Sequence, residues 1–199
     1  MEENPIRIRG LTVEEYLERV RNFHGYLAPG VVSGGFMVEL ACRRLPEGRL
    51  YDAISETGAC LPDAIQLLTP CTIGNGWLRV LETGRFALAI YDKETGRGAR
   101  AALDPGRLSA WPAVKAWALK LQAKSERDEA AILAGILAAE TGLYKVEPVT
   151  VDKSRLTKMD RIFICPACGE SYRAHREGRC GFCSGEVPLY TAADTPDEE

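Results

Sequence analysis

Cysteine and histidine carry most of the chemistry open to this 199-residue chain, which holds seven of the first and two of the second. Four of the cysteines form two C-x-x-C pairs, Cys165-Pro-Ala-Cys168 and Cys180-Gly-Phe-Cys183. Two residues between thiolates let one tight turn aim both sulfurs at a single ion, and zinc takes four such ligands in a tetrahedron. Cys165, Cys168, Cys180 and Cys183 are therefore read as one structural zinc site. An iron ion in the same four-sulfur cage is chemically equivalent at this level. Gly169 and Gly181 are expected to give the backbone freedom to turn around the metal. A module of this size buries little apolar surface, so the metal would supply its folding free energy. His175 lies between the pairs and is read as a surface residue, because four cysteines already close the site.

A second constellation occupies three stretches near the N-terminus: residues 23–30 around His24, 56–66 around Cys60, and 69–76 around Cys71. All three fall at element ends or loops, where sites tend to be built. Cys60 directly precedes a helical segment, whose N-terminal dipole favours a thiolate. His24, Cys60 and Cys71 admit two readings, three separately packed residues or one shared site of nitrogen and sulfur ligands. Cys42, within a helical run, is read as core.

The elements that must position these residues follow from pattern. Thr12-Val13-Glu14-Glu15 is a capping box opening a helix that Gly25 ends. A second helix runs from Pro29 or Val31 to Arg44, and Gly34 and Gly35 within it predict close packing against a neighbour. Leu50–Thr57 reads as a strand and Leu61–Leu68 as a short helix. Trp77–Leu81 and Phe86–Tyr91 read as strands joined in a hairpin by Glu82-Thr83-Gly84-Arg85, and Gly98–Leu103 as a further strand. Ser109–Ala123 and Glu126–Glu140 read as helices; Trp111, Val114, Trp117, Ala118 and Leu121 make an apolar stripe suited to core or a dimer seam. The expected division is an α+β domain over 1–145, a linker over 146–160, a cysteine module over 161–193 and a frayed tail over 194–199.

Composition sets outer bounds. The net charge is −3, without the basic footprint that nucleic-acid binding normally leaves. No apolar run reaches bilayer-spanning length, and Met1–Pro5 lacks the apolar core of a secretory signal. An odd cysteine count with no such signal argues against a disulfide framework. A cytoplasmic protein with no membrane contact is expected.

The phrases Phe23-His24-Gly25-x-Leu27-x-Pro29-Gly30, Glu56-x-x-x-Cys60-x-x-Asp63-Ala64-Ile65-Gln66 and Cys71-Thr72-x-Gly74-x-Gly76 resemble the formylmethanofuran dehydrogenase E-subunit (FmdE) family, and the four-cysteine module resembles the zinc finger that many members carry. The resemblance implies a helix-flanked mixed sheet similar to the catalytic domain of glyceraldehyde-phosphate dehydrogenase, with a small zinc-ribbon-like module. It implies a homodimer, association with a molybdenum or tungsten oxidoreductase, and a second, cleft metal site drawn from His24, Cys60, Cys71, Asp63 and Gln66. The family phrase usually carries a second histidine and a cysteine where this chain has Tyr26 and Ala28, so such a site would be depleted of ligands. The function expected is that of a metal-binding accessory protein. The alternatives are a thiol enzyme using Cys60 with His24 as base, and a zinc-finger adaptor presenting Arg173, His175, Arg176 and Arg179 to protein or nucleic acid.

Overall fold

The computed structural model describes residues 6–156 and 161–186. The expected tail over 194–199, the end of the cysteine module after 186 and residues 157–160 of the expected linker lie outside them. The chain divides into two units, residues 1–151 and 152–199.

In the first unit, α1 (Val13–His24) starts from a complete capping box, the Thr12 hydroxyl accepting from the Glu15 N–H and the Glu15 carboxylate from the Thr12 N–H. It stops at Gly25, whose φ of 89° is left-handed. Nearly every residue of α2 (Pro29–Cys42) is buried, so this helix is the hub of the core. The two glycines do what their position predicts. A Cβ on Gly34 would lie 2.5 Å from the Ala64 Cβ, and one on Gly35 would run into the Tyr16 ring. The missing side chains let α3 (Leu61–Leu68) and α1 close on α2. Tyr16 then donates its hydroxyl to the Val31 carbonyl at 2.5 Å.

The sheet contains β1 (Tyr51–Ser55), β2 (Leu78–Val80), β3 (Ala87–Asp92), β4 (Arg97–Leu103) and β5 (Tyr144–Thr150) in the order β2-β1-β3-β4-β5. β2 runs parallel to β1, and the other neighbours are antiparallel. The architecture is thus α+β with a mixed sheet. The hairpin expected across Glu82–Arg85 does not form: β1 lies between β2 and β3 and pairs with both. Residues 144–150, assigned mostly to the linker, are the edge strand β5. Pro148 stands opposite Ala99 there, a place an edge strand tolerates because its outer side makes no ladder bonds.

The helix expected over 109–123 is shorter and broken. A 3-10 turn covers Pro105–Ala110 and α4 covers only Pro112–Ala118. Lys120 then takes a positive φ of 52°, so Leu121 leaves the stripe and is exposed. Val114 is core, and Trp117 is partly buried. α5 (Glu129–Ala139) begins at Asp128, whose carboxylate accepts from the Ala131 N–H.

Among the described residues, the second unit carries one hairpin, β6 (Arg161–Ile164) with β7 (Ser171–Ala174). Tyr172 braces it, its hydroxyl donating to the Gly178 carbonyl and accepting from the Gly178 N–H at 2.6 and 2.7 Å. Among the described helices, none is long and apolar enough to cross a membrane.

Candidate functional site

The two C-x-x-C turns converge as the spacing predicts. The sulfurs of Cys165, Cys168, Cys180 and Cys183 lie within 4.8 Å of one another, the one group of three or more such ligands among the described residues. Cys168 and Cys180 are 4.0 Å apart, Sγ to Sγ. A tetrahedron of metal–sulfur bonds of about 2.3 Å has edges of about 3.8 Å, so the cage is metal-sized. The backbone supports it: the Cys180 N–H points at the Cys165 sulfur and the Cys183 N–H at the Cys180 sulfur, both at 3.4 Å. Gly169 turns the first loop with φ 77°. In the second loop the left-handed position falls at Gly185, φ 79°, rather than at Gly181. His175 is exposed, as expected of a residue outside the cage.

The N-terminal constellation separates into two places. α3 has eight residues, a length of about 12 Å, with Cys60 before its first turn and Cys71 beyond its last. The Cys71 side chain is buried and points to the Tyr51 carbonyl at 3.4 Å. Burial, relieved in part by Thr69, pushes its thiol up to about 11. Gln66 serves the same end of the helix, its side-chain oxygen accepting from the Ile73 N–H at 3.2 Å. These two residues hold the 69–76 loop and stand apart from Cys60. Cys42 is buried, as expected of core.

At the other end, α1 and α3 bring His24 and Asp63 together, Nδ1 to Oδ2 at 2.6 Å. Asp63 sits in the first turn of α3, where the helix dipole favours a carboxylate. Tyr26 packs against the His24 ring with centroids 5.0 Å apart.

Cys60 has a backbone that cysteine rarely adopts, φ 63° and ψ −49°. The Leu61 N–H bonds back to the Ala59 carbonyl at 2.6 Å, closing the positive-φ form of the γ-turn, the rare and strained one. Its approach is fixed by neighbours. Ser55 donates to the Thr57 carbonyl and the Ala59 N–H to the Thr57 hydroxyl. Glu56 is clamped by Arg100 at 2.5 and 3.0 Å and by Arg85 at 2.6 Å. Burial raises the Glu56 carboxyl, but Arg100, then Arg85 and Thr83, outweigh it and hold the group below its usual range. Gly30 makes room on the far side, since a Cβ there would lie 2.8 Å from the Cys60 sulfur.

The dipole expectation for Cys60 is reversed. Burial, followed by the Asp63 carboxylate, raises its thiol above the ordinary value. Among the described residues no hydrogen bond joins it to His24, whose Nδ1 is taken by Asp63.

Cys60 opens into a cleft of about 630 Å³ whose walls include Tyr26, Ala28 and Gly30 on one side and residues 117–132 on another. Sequence reasoning misses this second wall, because exposed lysines and arginines read as solvated surface. Its one trace is Trp117, read as core or seam and in fact set edge-on to Phe86 at 5.8 Å between ring centroids.

Comparison with known proteins places the chain. A crystal structure of a tungsten formylmethanofuran dehydrogenase E-subunit (FmdE)-like protein from Syntrophus aciditrophicus is 46% identical, with a TM-score of 0.81, covering 94% of this chain and all of that one. A protein of Archaeoglobus fulgidus described as a probable S-adenosyl-L-methionine-binding protein is 29% identical over 191 residues, covering 85% of this chain. The match spans about half of that relative, 52% of its length. The model of the family described as FmdE, molybdenum formylmethanofuran dehydrogenase operon, matches residues 23–152. With the motifs around His24, Cys60 and Cys71 inside that span, this chain belongs to the FmdE family.

Proposed function

We propose that the chain is a metal-binding protein of the FmdE family, whose cysteine module holds one zinc ion and whose cleft at Cys60 is its working site. The observation that carries the metal reading is the cage of four sulfurs within 4.8 Å. Zinc fits it because four thiolates suit a tetrahedral, redox-inert ion and leave no open position for a reaction. In such a module the metal joins the two turns and replaces a core the hairpin is too small to build.

The service of a molybdenum or tungsten oxidoreductase, in a cytoplasmic homodimer, follows from the family resemblance and is part of the same proposal. A second metal in the cleft would have Cys60 as a ligand; His24, whose Nδ1 bonds Asp63, is not among the residues that line the cleft. Tyr26 and Ala28 add no strong ligand. The ligand named for the Archaeoglobus relative is not carried over. That name belongs to a protein of which the match spans 52%; the cleft here holds four cations, Arg85, Lys120, Lys124 and Arg127, and two carboxylates, Glu82 and Glu129.

Metal analysis of the purified chain tests this reading. One zinc per chain is expected, lost in Cys168→Ser. A metal-free chain whose module stays folded in chelator overturns it. A second equivalent lost in Cys60→Ser would place metal in the cleft.

A second reading, a thiol enzyme, is favoured by the strained turn at Cys60. It is weakened by the raised thiol and the engaged His24. Alkylation of Cys60 against pH separates the two, since an enzyme nucleophile should titrate below a free thiol.

A further inference from the structure

The cleft into which Cys60 opens is also lined by charges on the 120–127 segment that nothing among the described residues pairs. Arg85 is engaged by Glu56 at 2.6 Å. Lys120, Lys124 and Arg127 line the same cleft, and no ion pair reaches any of them among the described residues. Arg127 is the informative one. Its Nε is shut off from solvent and has no acceptor among the described residues. A buried donor on a charged group without a partner is costly and rare in a folded chain, so the Arg127 guanidinium would gain from turning to an acceptor brought into the cleft it lines.

Apolar side chains share the cleft with two carboxylates, Glu82 and Glu129. Phe86 and Trp117 meet edge to face, and Ile132 adds an aliphatic surface. The carboxylate of Glu82 packs against Gly58, on the loop that leads to Cys60. The three remaining cations lie on the 120–127 segment and outnumber the two cleft carboxylates. The volume, about 630 Å³, suits a ligand well above the size of a simple ion.

We infer that this cleft binds a small organic anion with a flat apolar body, the anionic group taken by Arg127, Lys120 and Lys124 and the body by Phe86 and Trp117. Guanidinium recognises a carboxylate or phosphate through paired N–H donors, and an aromatic wall binds a flat body without fixing its identity. The inference concerns the cleft alone and does not depend on metal in the cysteine module.

Isothermal titration calorimetry on the full chain tests it, with phenyl phosphate, inorganic phosphate and phenol as probes. Phenyl phosphate should bind about tenfold tighter than either half-ligand. The advantage over phenol should shrink at high salt. Arg127→Gln should abolish it, and Lys120→Gln with Lys124→Gln should reduce it, with far-UV circular dichroism unchanged. The inference is overturned if phenyl phosphate binds no tighter than inorganic phosphate or phenol, if no probe binds, or if the folded Arg127→Gln chain binds as the parent does. Since the two lysines are exposed, their variant keeps the test decisive should Arg127→Gln misfold.

Discussion

Replacing Cys60 by glycine should stabilise the protein relative to replacing it by alanine, the reverse of the usual order. Both changes remove the thiol, so they share the loss of its contacts. They differ in the backbone. Alanine keeps a Cβ at φ 63°, ψ −49°, where a non-glycine residue costs on the order of 1–3 kcal/mol. Glycine removes that strain and costs about 0.4–1 kcal/mol through the freer unfolded chain. The balance favours Cys60→Gly by about 1 kcal/mol, or about 2–4 °C in Tm for a chain of this size. Trp77, Trp111 and Trp117 all lie in the first unit, so tryptophan fluorescence during urea unfolding reads the unit that matters. Cys60→Ala as stable as Cys60→Gly, or more so, would refute the argument that the turn is strained.

The neighbours of Cys60 give further tests. Gly30→Ala puts a Cβ 2.7 Å from the Cys60 Cβ and should cost about 1–3 kcal/mol; the cost should largely vanish in a Cys60→Gly background, a coupling that a double-mutant cycle in urea measures directly. Asp63→Asn removes a charge that raises the Cys60 thiol, so the pH midpoint for alkylation by iodoacetamide should lie above 9.0 in the parent and move down in the variant. Glu56→Gln leaves Arg100 short of its buried partner and should cost about 3 kcal/mol. Because the Glu56 carboxyl is held below its ordinary value, its contribution is present above about pH 4.5 and is lost as pH falls through the depressed value, so the parent's stability should drop there more steeply than that of Glu56→Gln. Chelation should unfold residues 161–186 while leaving the tryptophan signal of the first unit unchanged, which proteolysis followed by mass spectrometry would show.

What the sequence displayed and what it hid divide along the range of the interactions. The cysteine cage was legible because its geometry is set by two turns and a spacing. The bounds of α3 were legible because Pro62 opens it and Pro70 keeps Thr69 out of the helix. Gly34 and Gly35 announced close packing because glycine inside a helix has little other use. The pairing of β2 was hidden, since Thr83-Gly84 signals a turn and says nothing of the distant β1 that intervenes. β5 was hidden by Pro148, which marks either a linker or an edge. The split between Cys60 and Cys71 was within reach, because an eight-residue helix between two cysteines already holds them too far apart to share an ion. The cation wall was out of reach, since only the fold reveals that Lys120, Lys124 and Arg127 line the cleft into which Cys60 opens.

Tyr26 and Ala28 bear on how the remaining groups at the cleft should be read. With neither a second histidine nor a second cysteine, a metal in the cleft would draw on Cys60, since His24 is held by Asp63 and is not among the residues that line the cleft. If the cleft were only packing, glycine at position 60 would fold with less strain, and a Cβ at position 30 would fill the gap beside it. The chain has the opposite at both places, a cysteine where glycine is easier and a glycine where the cysteine needs room. Each choice spends stability on the position of one thiol. The same cleft is lined by an arginine whose Nε lacks an acceptor among the described residues. A held thiol and an arginine short of an acceptor in one cleft fit a site organised around an organic ligand better than one organised around a bare ion, and that is why the ligand titration should precede any search for metal in the cleft.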